Sequence, residues 1–145
     1  MIRLLDRAFD FWDLKEIPGE ENNPTIMKFF AKMGMTWVQG DETSWCSAFI
    51  NYLCIVEDYE HSGELTARSW LTKGTQIAEP FRGCLVVLWR ESPSSWKGHV
   101  GLYIRETSSN IYVLGGNQSN RVRITPYPKE RLLSYRILKQ KKGTI

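Results

Sequence analysis

The chain has few cysteines, few histidines and no long apolar run among its 145 residues. Its three cysteines include no C-x-x-C pair, so we expect neither a disulfide framework nor a zinc site. A membrane-spanning helix needs about 18 consecutive apolar residues, and no such stretch occurs. The net charge of +3 is below the level typical of nucleic-acid-binding proteins. We therefore expect a globular protein with neither a membrane nor a nucleic acid as its partner.

The first residues also lack the pattern of a secretion signal. The start of the chain carries acidic and aromatic residues instead of a basic head, an apolar middle and a small-residue cleavage site. We therefore expect that no ordinary signal peptide exports the protein.

The first half of the chain shows the apolar spacing of helices. Predicted helices cover residues 2–15, 24–33, about 45–58 and 65–73. Asn23 and Pro24 are residue types that cap and start a helix, and Gly34 is the type that follows a helix end. These signals predict a helical part over about residues 1–75.

The second half, from Pro80 onward, has short stretches of β-branched and aromatic residues that are typical of strands. The candidate strands are Cys84–Arg90, His99–Glu106, Ile111–Asn117, Val122–Thr125 and Leu133–Leu138. The joins between them are short, including one at Pro126–Pro128, and short joins favour antiparallel neighbours. We predict a single α+β domain over 1–145, with the helices packed on an antiparallel sheet of about five strands over about 80–140.

Cys46 stands where a polar loop, Gly40–Ser44, meets a predicted helix. Thr43 or Ser44 can cap that helix. A thiol in the first turn lies at the positive end of the helix dipole, where its pKa falls below the free value of about 8.5. The pattern predicts a nucleophilic thiolate, although a lone cysteine on a helix is also commonly a small buried hydrophobic residue.

A cysteine nucleophile needs a base, and the base needs an orienting group. His99 begins a predicted strand, and alternation places it on the same face as Gly101, opposite Val100. Asn117 ends the next strand, where hairpin pairing brings its amide oxygen near the imidazole. Both residues also have structural interpretations, since asparagine is common in turns. The order Cys46, His99, Asn117 is that of papain-like thiol enzymes.

Several motifs in order carry a resemblance to a known family. They are Ser44–Asn51, Thr66–Leu71, Gly98–Tyr103 and Leu114–Ser119, preceded by Glu16–Gly19 and Asn23–Ile26. Through them, over about residues 10–137, the chain resembles the NlpC-type and CHAP-type cysteine peptidase and amidase superfamily. The likeness is greatest to a small branch that is often associated with phages.

This resemblance implies a papain-like fold and hydrolysis of an amide bond in the stem peptide or cross-bridge of bacterial peptidoglycan. It implies Cys46 as the nucleophile, His99 as the base and Asn117 as the third polar residue, with no metal and no cofactor. Trp45 matches an aromatic residue beside the nucleophile, and we predict that it contacts the substrate. Relatives commonly carry an acidic residue where this chain has Cys84, which is a departure remote from the triad in sequence.

Three further residues are candidates for substrate binding. Trp70 and Trp96 lie near polar joins and can line a groove for a peptide stem or a sugar, although ordinary packing is the alternative. Gln39, in the loop before Cys46, can donate a hydrogen bond to the oxyanion of the reaction.

The resemblance leaves several biological roles open. The enzyme can be a phage or prophage lysin, a cell-wall remodelling enzyme or a toxin delivered into rival cells. The missing signal peptide favours the lysin or the toxin, made in the bacterial cytoplasm and acting at the cell wall or periplasm after lysis or delivery. A delivered toxin would need an immunity protein as a partner. The alternatives are a non-catalytic module that binds the cell wall, and a papain-like thiol enzyme that acts on an amide outside peptidoglycan.

Overall fold

The computed structural model describes residues 1–17, 22–35 and 45–141. These residues form helices α1 (Ile2–Phe9), α2 (Pro24–Lys32) and α3 (Cys46–Val56), and short 3₁₀ helices over Ala67–Thr72 and Lys129–Arg131. The strands are β1 (Thr75–Ile77), β2 (Leu85–Trp89), β3 (Gly98–Glu106), β4 (Asn110–Gln118), β5 (Arg121–Pro128) and β6 (Leu132–Ile137). The predicted α+β class is therefore confirmed.

Helix α2 follows its sequence signals closely. The Asn23 Oδ1 accepts hydrogen bonds from the backbone N–H groups of Thr25 and Ile26, and Pro24 occupies the first turn. Gly34, just beyond the end of the helix, has a φ of +81°, a conformation that glycine adopts without steric cost. The local residue types thus determine both ends of α2.

Helix α1 is shorter than the predicted helix over 2–15. It ends at Phe9, and the chain then turns so that Asp13, with a φ of +66°, donates its N–H to the carbonyl of Val122 in β5 at 2.9 Å. This bond to the sheet ends the helix. Among the described helices, of which α3 with 11 residues is the longest, none has the length and apolar character to cross a lipid bilayer.

All the strands pair antiparallel in one sheet, in the order β1-β6-β2-β3-β4-β5. The sheet has six strands, so the prediction of five was wrong by one. The missed strand, β1, has three residues and exposes the side chains of Thr75 and Gln76. It therefore lacks an apolar alternation and is defined only by its pairing with β6.

The predicted join at Pro126–Pro128 was also wrong, because these residues belong to β5. Pro126 lies opposite Tyr112 of β4. Strand β5 is at the edge of the sheet, where a proline can be accommodated because its missing N–H need not belong to a ladder. The 3₁₀ helix Lys129–Arg131 makes the connection to β6 instead.

Helix α3 lies at the centre of the fold and is buried along most of its length. It packs against α2 on one side and against β3 and β4 on the other. Val100 and Leu102 of β3 and Leu114 of β4 share its hydrophobic core, whereas Tyr103 and Val113 belong to a second cluster on the opposite face of the sheet. This packing holds the start of α3 against the two strands that carry the predicted catalytic partners.

Candidate active site

Cys46 is the first residue of α3, and only 3% of its surface is exposed. Trp45 occupies the N-cap position and makes no side-chain hydrogen bond to the helix, while the predicted caps Thr43 and Ser44 lie outside the described residues. The first N–H groups of a helix have no partner within the helix, and the helix dipole favours negative charge there. The thiol therefore lies where a thiolate is stabilised.

The His99 imidazole lies between this thiol and an amide side chain. Its Nε2 is 2.8 Å from Oε1 of Gln118, and the ring lies close enough to the Cys46 thiol for each group to shift the pKa of the other. Because Nε2 is engaged by Gln118, Nδ1 is the atom left to face Cys46. The ring of Tyr127 covers one side of the imidazole, with the two centroids 5.1 Å apart. These contacts fix the direction of the imidazole ring.

The Gln118 amide is itself held by two backbone carbonyls. Its Nε2 donates to the oxygens of Val113 at 3.1 Å and Arg123 at 2.6 Å, so Oε1 accepts the proton on His99 Nε2. Gly115 provides the space, because a Cβ at that position would lie 2.7 Å from Gln118 Oε1 and 3.4 Å from His99 Nε2. A side chain at position 115 would therefore displace the amide from the imidazole.

In the structure, the side chain that forms a hydrogen bond with His99 is that of Gln118. The predicted residue was Asn117. Asn117 has a φ of +59°, and the pairing of β4 with β5 shifts register between Gly115 and Gln118. Such a bulge interrupts the alternation of side chains along a strand. Gln118 consequently occupies the face that strict alternation assigns to Asn117. The sequence signal for this bulge is the run of turn-forming residues through Asn120.

The electrostatic environment favours a charged thiol and imidazole. Burial alone would raise the pKa of Cys46, but the charge and hydrogen bond of His99, together with the backbone N–H groups of Val100 and Ser47, outweigh it and lower that pKa. Burial alone would lower the pKa of His99, but the Cys46 charge and the hydrogen bonds to Cys46 and Gln118 outweigh it and raise that pKa. The pair is therefore favoured as thiolate and imidazolium.

Trp45 and Trp70, which we predicted to contact substrate, are both fully buried. The Trp45 Nε1 donates to Glu16 at 2.7 Å, and its ring packs so closely on Gly116 that a Cβ there would come within 2.6 Å. The Trp70 Nε1 donates to the Ser47 hydroxyl at 2.9 Å. Neither ring offers a surface to a ligand, so these two predictions were wrong, and both residues instead support the site from the core.

A pocket of about 160 Å³ opens beside the thiol. Its lining combines apolar and cationic side chains: Cys46, Leu65, Thr66, Ala67, Arg90, Trp96, Lys97 and Gly98. Trp96 is 69% exposed and lines this pocket, and its contact with substrate stays a prediction. Gln39, the remaining candidate, lies outside the described residues.

Two side chains without a predicted role hold one wall of this pocket. The Ser47 Oγ and the Asn51 Nδ2 both donate to the carbonyl of Glu64, at 2.6 and 3.1 Å, and the Asn51 Oδ1 accepts the Gly63 N–H at 2.9 Å. The wall begins at the next residue, Leu65. The available sequence signal was the four-residue spacing of Ser47 and Asn51, which places both on one side of a helix.

The other cysteines lack a comparable environment. Cys54 and Cys84 are fully buried, and burial raises the pKa of each thiol. Within residues 1–17, 22–35 and 45–141, the His, Cys, Asp and Glu side chains do not gather in any group of three or more that could hold a metal ion.

Comparisons with known proteins found no family model and no curated protein sequence that matches this chain. The features of the chain that bear on function are the arrangement of Cys46, His99 and Gln118, the adjacent pocket and the sequence motifs around them. The arrangement itself suits nucleophilic attack by a thiolate with proton transfer through an imidazole.

Proposed function

We propose that this chain is a peptidoglycan hydrolase that cleaves an amide bond in the stem peptide or cross-bridge by a thiol mechanism. The observation that carries the proposal is the arrangement of Cys46, His99 and Gln118: the thiol is in the first turn of α3, His99 lies beside it, and Gln118 holds the imidazole by a hydrogen bond. A papain-like fold is part of the proposal. It is supported by the packing of the thiol-bearing helix on the strands that carry the imidazole and the amide.

The choice of peptidoglycan is supported by the sequence motifs that surround these residues. Segments 44–51, 66–71, 98–103 and 114–119 are similar in order and residue type to the motifs of the NlpC-type and CHAP-type superfamily. The proposal includes membership of that superfamily and action at the cell wall after lysis or delivery. In a delivered toxin, an immunity protein would be expected to cover the pocket beside Cys46.

In the proposed reaction the Cys46 thiolate attacks the carbonyl carbon of the amide. A bond forms between Sγ and that carbon, and the C–N bond breaks as the His99 imidazolium gives its proton to the leaving nitrogen. The neutral imidazole then takes a proton from a water molecule, whose oxygen attacks the thioester and releases Cys46. Gln118 keeps the imidazole in place through both steps.

The negative oxygen formed during each attack needs hydrogen-bond donors. The backbone N–H of Cys46 is in the first turn of α3, where N–H groups have no acceptor within the helix. It lies on the residue that carries the nucleophile, so we assign it as one donor. Gln39 remains a prediction for a second donor.

The test compares two cysteines of the same helix. Cys46→Ala should reduce the clearing of purified sacculi by about 10⁴-fold or more, because no other group replaces the nucleophile. Cys54→Ala, the matched control, should retain activity within about threefold, because it removes a sulfur that takes no part in the reaction. Equal clearing by the Cys46→Ala variant would overturn the proposal.

Mass spectrometry of the released fragments identifies the bond that is cut. New amino and carboxyl groups in the peptide moiety support an amide hydrolase, and inhibition by iodoacetamide but not by a chelator supports the thiol. Retention on sacculi without any released fragment would instead favour a wall-binding module. Intact sacculi together with hydrolysis of other amide substrates would favour a thiol enzyme of different specificity.

A further inference from the structure

Arg90 and Lys97 bring two positive charges to the pocket beside the candidate nucleophile. Arg90 directly follows β2, and Lys97 directly precedes β3, so the two residues face each other across the β2–β3 connection. The Arg90 backbone N–H donates to the Lys97 carbonyl at 3.3 Å. Both side chains therefore project from one short connection next to the thiol.

The two charges differ in their partners. The Lys97 Nζ forms an ion pair with Glu91 at 2.9 Å, so much of its charge is compensated. No acidic side chain in the described part of the protein forms an ion pair with Arg90. Its charge reaches the active site, where it lowers the pKa of His99 against the stronger opposing effect of Cys46. Arg90 thus makes no ion pair among the described residues, although its charge also acts on the carboxylate of Glu91.

The connection that carries these residues is held firmly by Arg68. Its guanidinium donates to the carbonyl oxygens of Ser92 at 2.8 Å, Pro93 at 2.7 Å and Lys97 at 2.8 Å. A loop that is already ordered loses less conformational entropy when it binds a ligand. The pocket therefore presents its cation from a largely pre-formed wall.

The remaining lining shows what else a ligand must offer. Leu65, Ala67 and the exposed ring of Trp96 give the pocket an apolar surface. A guanidinium matches a carboxylate geometrically and pairs with it through two parallel hydrogen bonds. The pocket thus fits a peptide segment that has both an apolar part and a carboxylate.

We propose that Arg90 binds a free carboxylate of the substrate, so that the enzyme acts on acidic peptides whose scissile amide lies close to that carboxylate. This inference rests on the proposed function, because it takes Cys46 as the nucleophile. It assigns Arg90 as a specificity-determining residue and Trp96 as the residue that contacts the apolar part.

Two alkylating reagents test this assignment on the intact protein without any peptide substrate. Iodoacetate and iodoacetamide transfer similar groups to a thiolate, but only iodoacetate carries a carboxylate. The measured quantity is the ratio of the alkylation rate with iodoacetate to the rate with iodoacetamide. In the native protein we expect this ratio to be higher for Cys46 than for a free thiol. Arg90→Gln should lower this rate ratio about five- to tenfold at low salt, and added salt should lower it in the native protein.

Two further variants complete the test. Arg90→Lys keeps the charge but not the paired hydrogen bonds, so it should restore part of the ratio. Arg105→Gln, at the far end of β3 where the guanidinium stacks on Tyr112, should leave the ratio unchanged. The rate with iodoacetamide should stay within about twofold in all variants, which shows that the thiol and the fold are intact.

The outcomes separate this inference from the proposed function. If Arg90→Gln left the ratio of the two alkylation rates unchanged, or lowered both rates equally, the carboxylate site would be overturned. The proposal of a reactive Cys46 thiol would still stand. Failure of both reagents to label Cys46 in the native protein would overturn both proposals. A selective loss of the iodoacetate reaction would support the assignment of Arg90.

Discussion

Helix α3 carries one cysteine at its start and another near its end, and the two thiols have opposite properties. Both are almost fully buried, with 3% of Cys46 and none of Cys54 exposed. Burial raises the pKa of Cys54, and the charge of Glu60 raises it further. At Cys46 burial acts in the same direction, but His99 and nearby backbone N–H groups reverse the result. Residue type and burial therefore do not decide whether the pKa of a thiol is raised or lowered.

The difference comes from what the fold brings to each end of the helix. At the first turn, β3 supplies an imidazole and β4 supplies the amide that holds it. The far end of α3 meets apolar residues of the core instead. The imidazole of His99, the amide of Gln118 and the hydroxyl of Ser47 support the thiol at this end. Substitutions that remove any of them should make the environment of Cys46 more like that of Cys54.

The largest effect is expected from removing the imidazole. His99→Ala should reduce the hydrolysis of sacculi about 10²- to 10⁴-fold, because Cys46 loses its base and the leaving amine loses its proton donor. His61→Ala removes the other histidine of the chain and should keep activity near the native level. Comparable losses in both variants would indicate that His99 acts only through stability.

The next effect is the selectivity of alkylation between the two cysteines. In the folded protein iodoacetamide should label Cys46 at least about a hundredfold faster than Cys54, as measured by peptide mapping. Because the Cys46 pKa is lowered, its labelling should be appreciable well below the pH of about 8.5 at which a free thiol ionises. Equal labelling of the two thiols would contradict the assigned environments.

Hydrolysis should depend on pH in both directions. It should rise with pH as Cys46 loses its proton, and it should fall at higher pH as His99 loses the proton that the leaving amine requires. Since the His99 pKa is raised, the descending limb should lie above the ordinary histidine value of about 6.5. A profile that falls through that ordinary value would show that the two groups are not coupled.

A smaller effect is expected from the amide that orients the imidazole. Gln118→Ala should reduce kcat/KM about 10- to 100-fold and shift the pH profile, because the ring loses its fixed direction. Asn117→Gly tolerates the positive φ at that position and should have a weaker effect. The reverse order, with Asn117→Gly the more damaging variant, would contradict the assignment of Gln118.

The smallest effect on activity is expected from Ser47, whose hydroxyl connects the first turn of α3 to the Glu64 carbonyl and to Trp70. Ser47→Ala should lower the free energy of unfolding in urea by about 1–3 kcal/mol, because the buried Trp70 Nε1 loses its acceptor. Ser69→Ala also removes a hydroxyl that donates to a carbonyl, but at an exposed site, and should cost less than about 0.5 kcal/mol. Similar decreases in the free energy of unfolding for the two variants would show that the Ser47 hydroxyl does not stabilise the first turn of α3.

The structural features that depend on neighbouring residues could be predicted from local sequence signals. Asn23 and Pro24 predicted the start of α2, and the apolar spacing after Cys46 predicted α3. The strand that begins at His99 was predicted within one residue, because its alternation continues over a long segment. Each of these signals lies within a few residues of the structure that it specifies.

The features that depend on residues distant in the sequence were set by packing and strand pairing in the folded protein. The bulge after Gly115 moved Gln118 into the place expected for Asn117, because register is set by pairing with β5 and not by β4 alone. Trp45 and Trp70 were buried by packing against distant segments, whereas Trp96 remained exposed at the pocket. Neighbouring residues in the sequence cannot specify such contacts. The sequence therefore predicted that Cys46 begins a helix and that His99 begins a strand, but not that Gln118 is the residue that forms the hydrogen bond with His99.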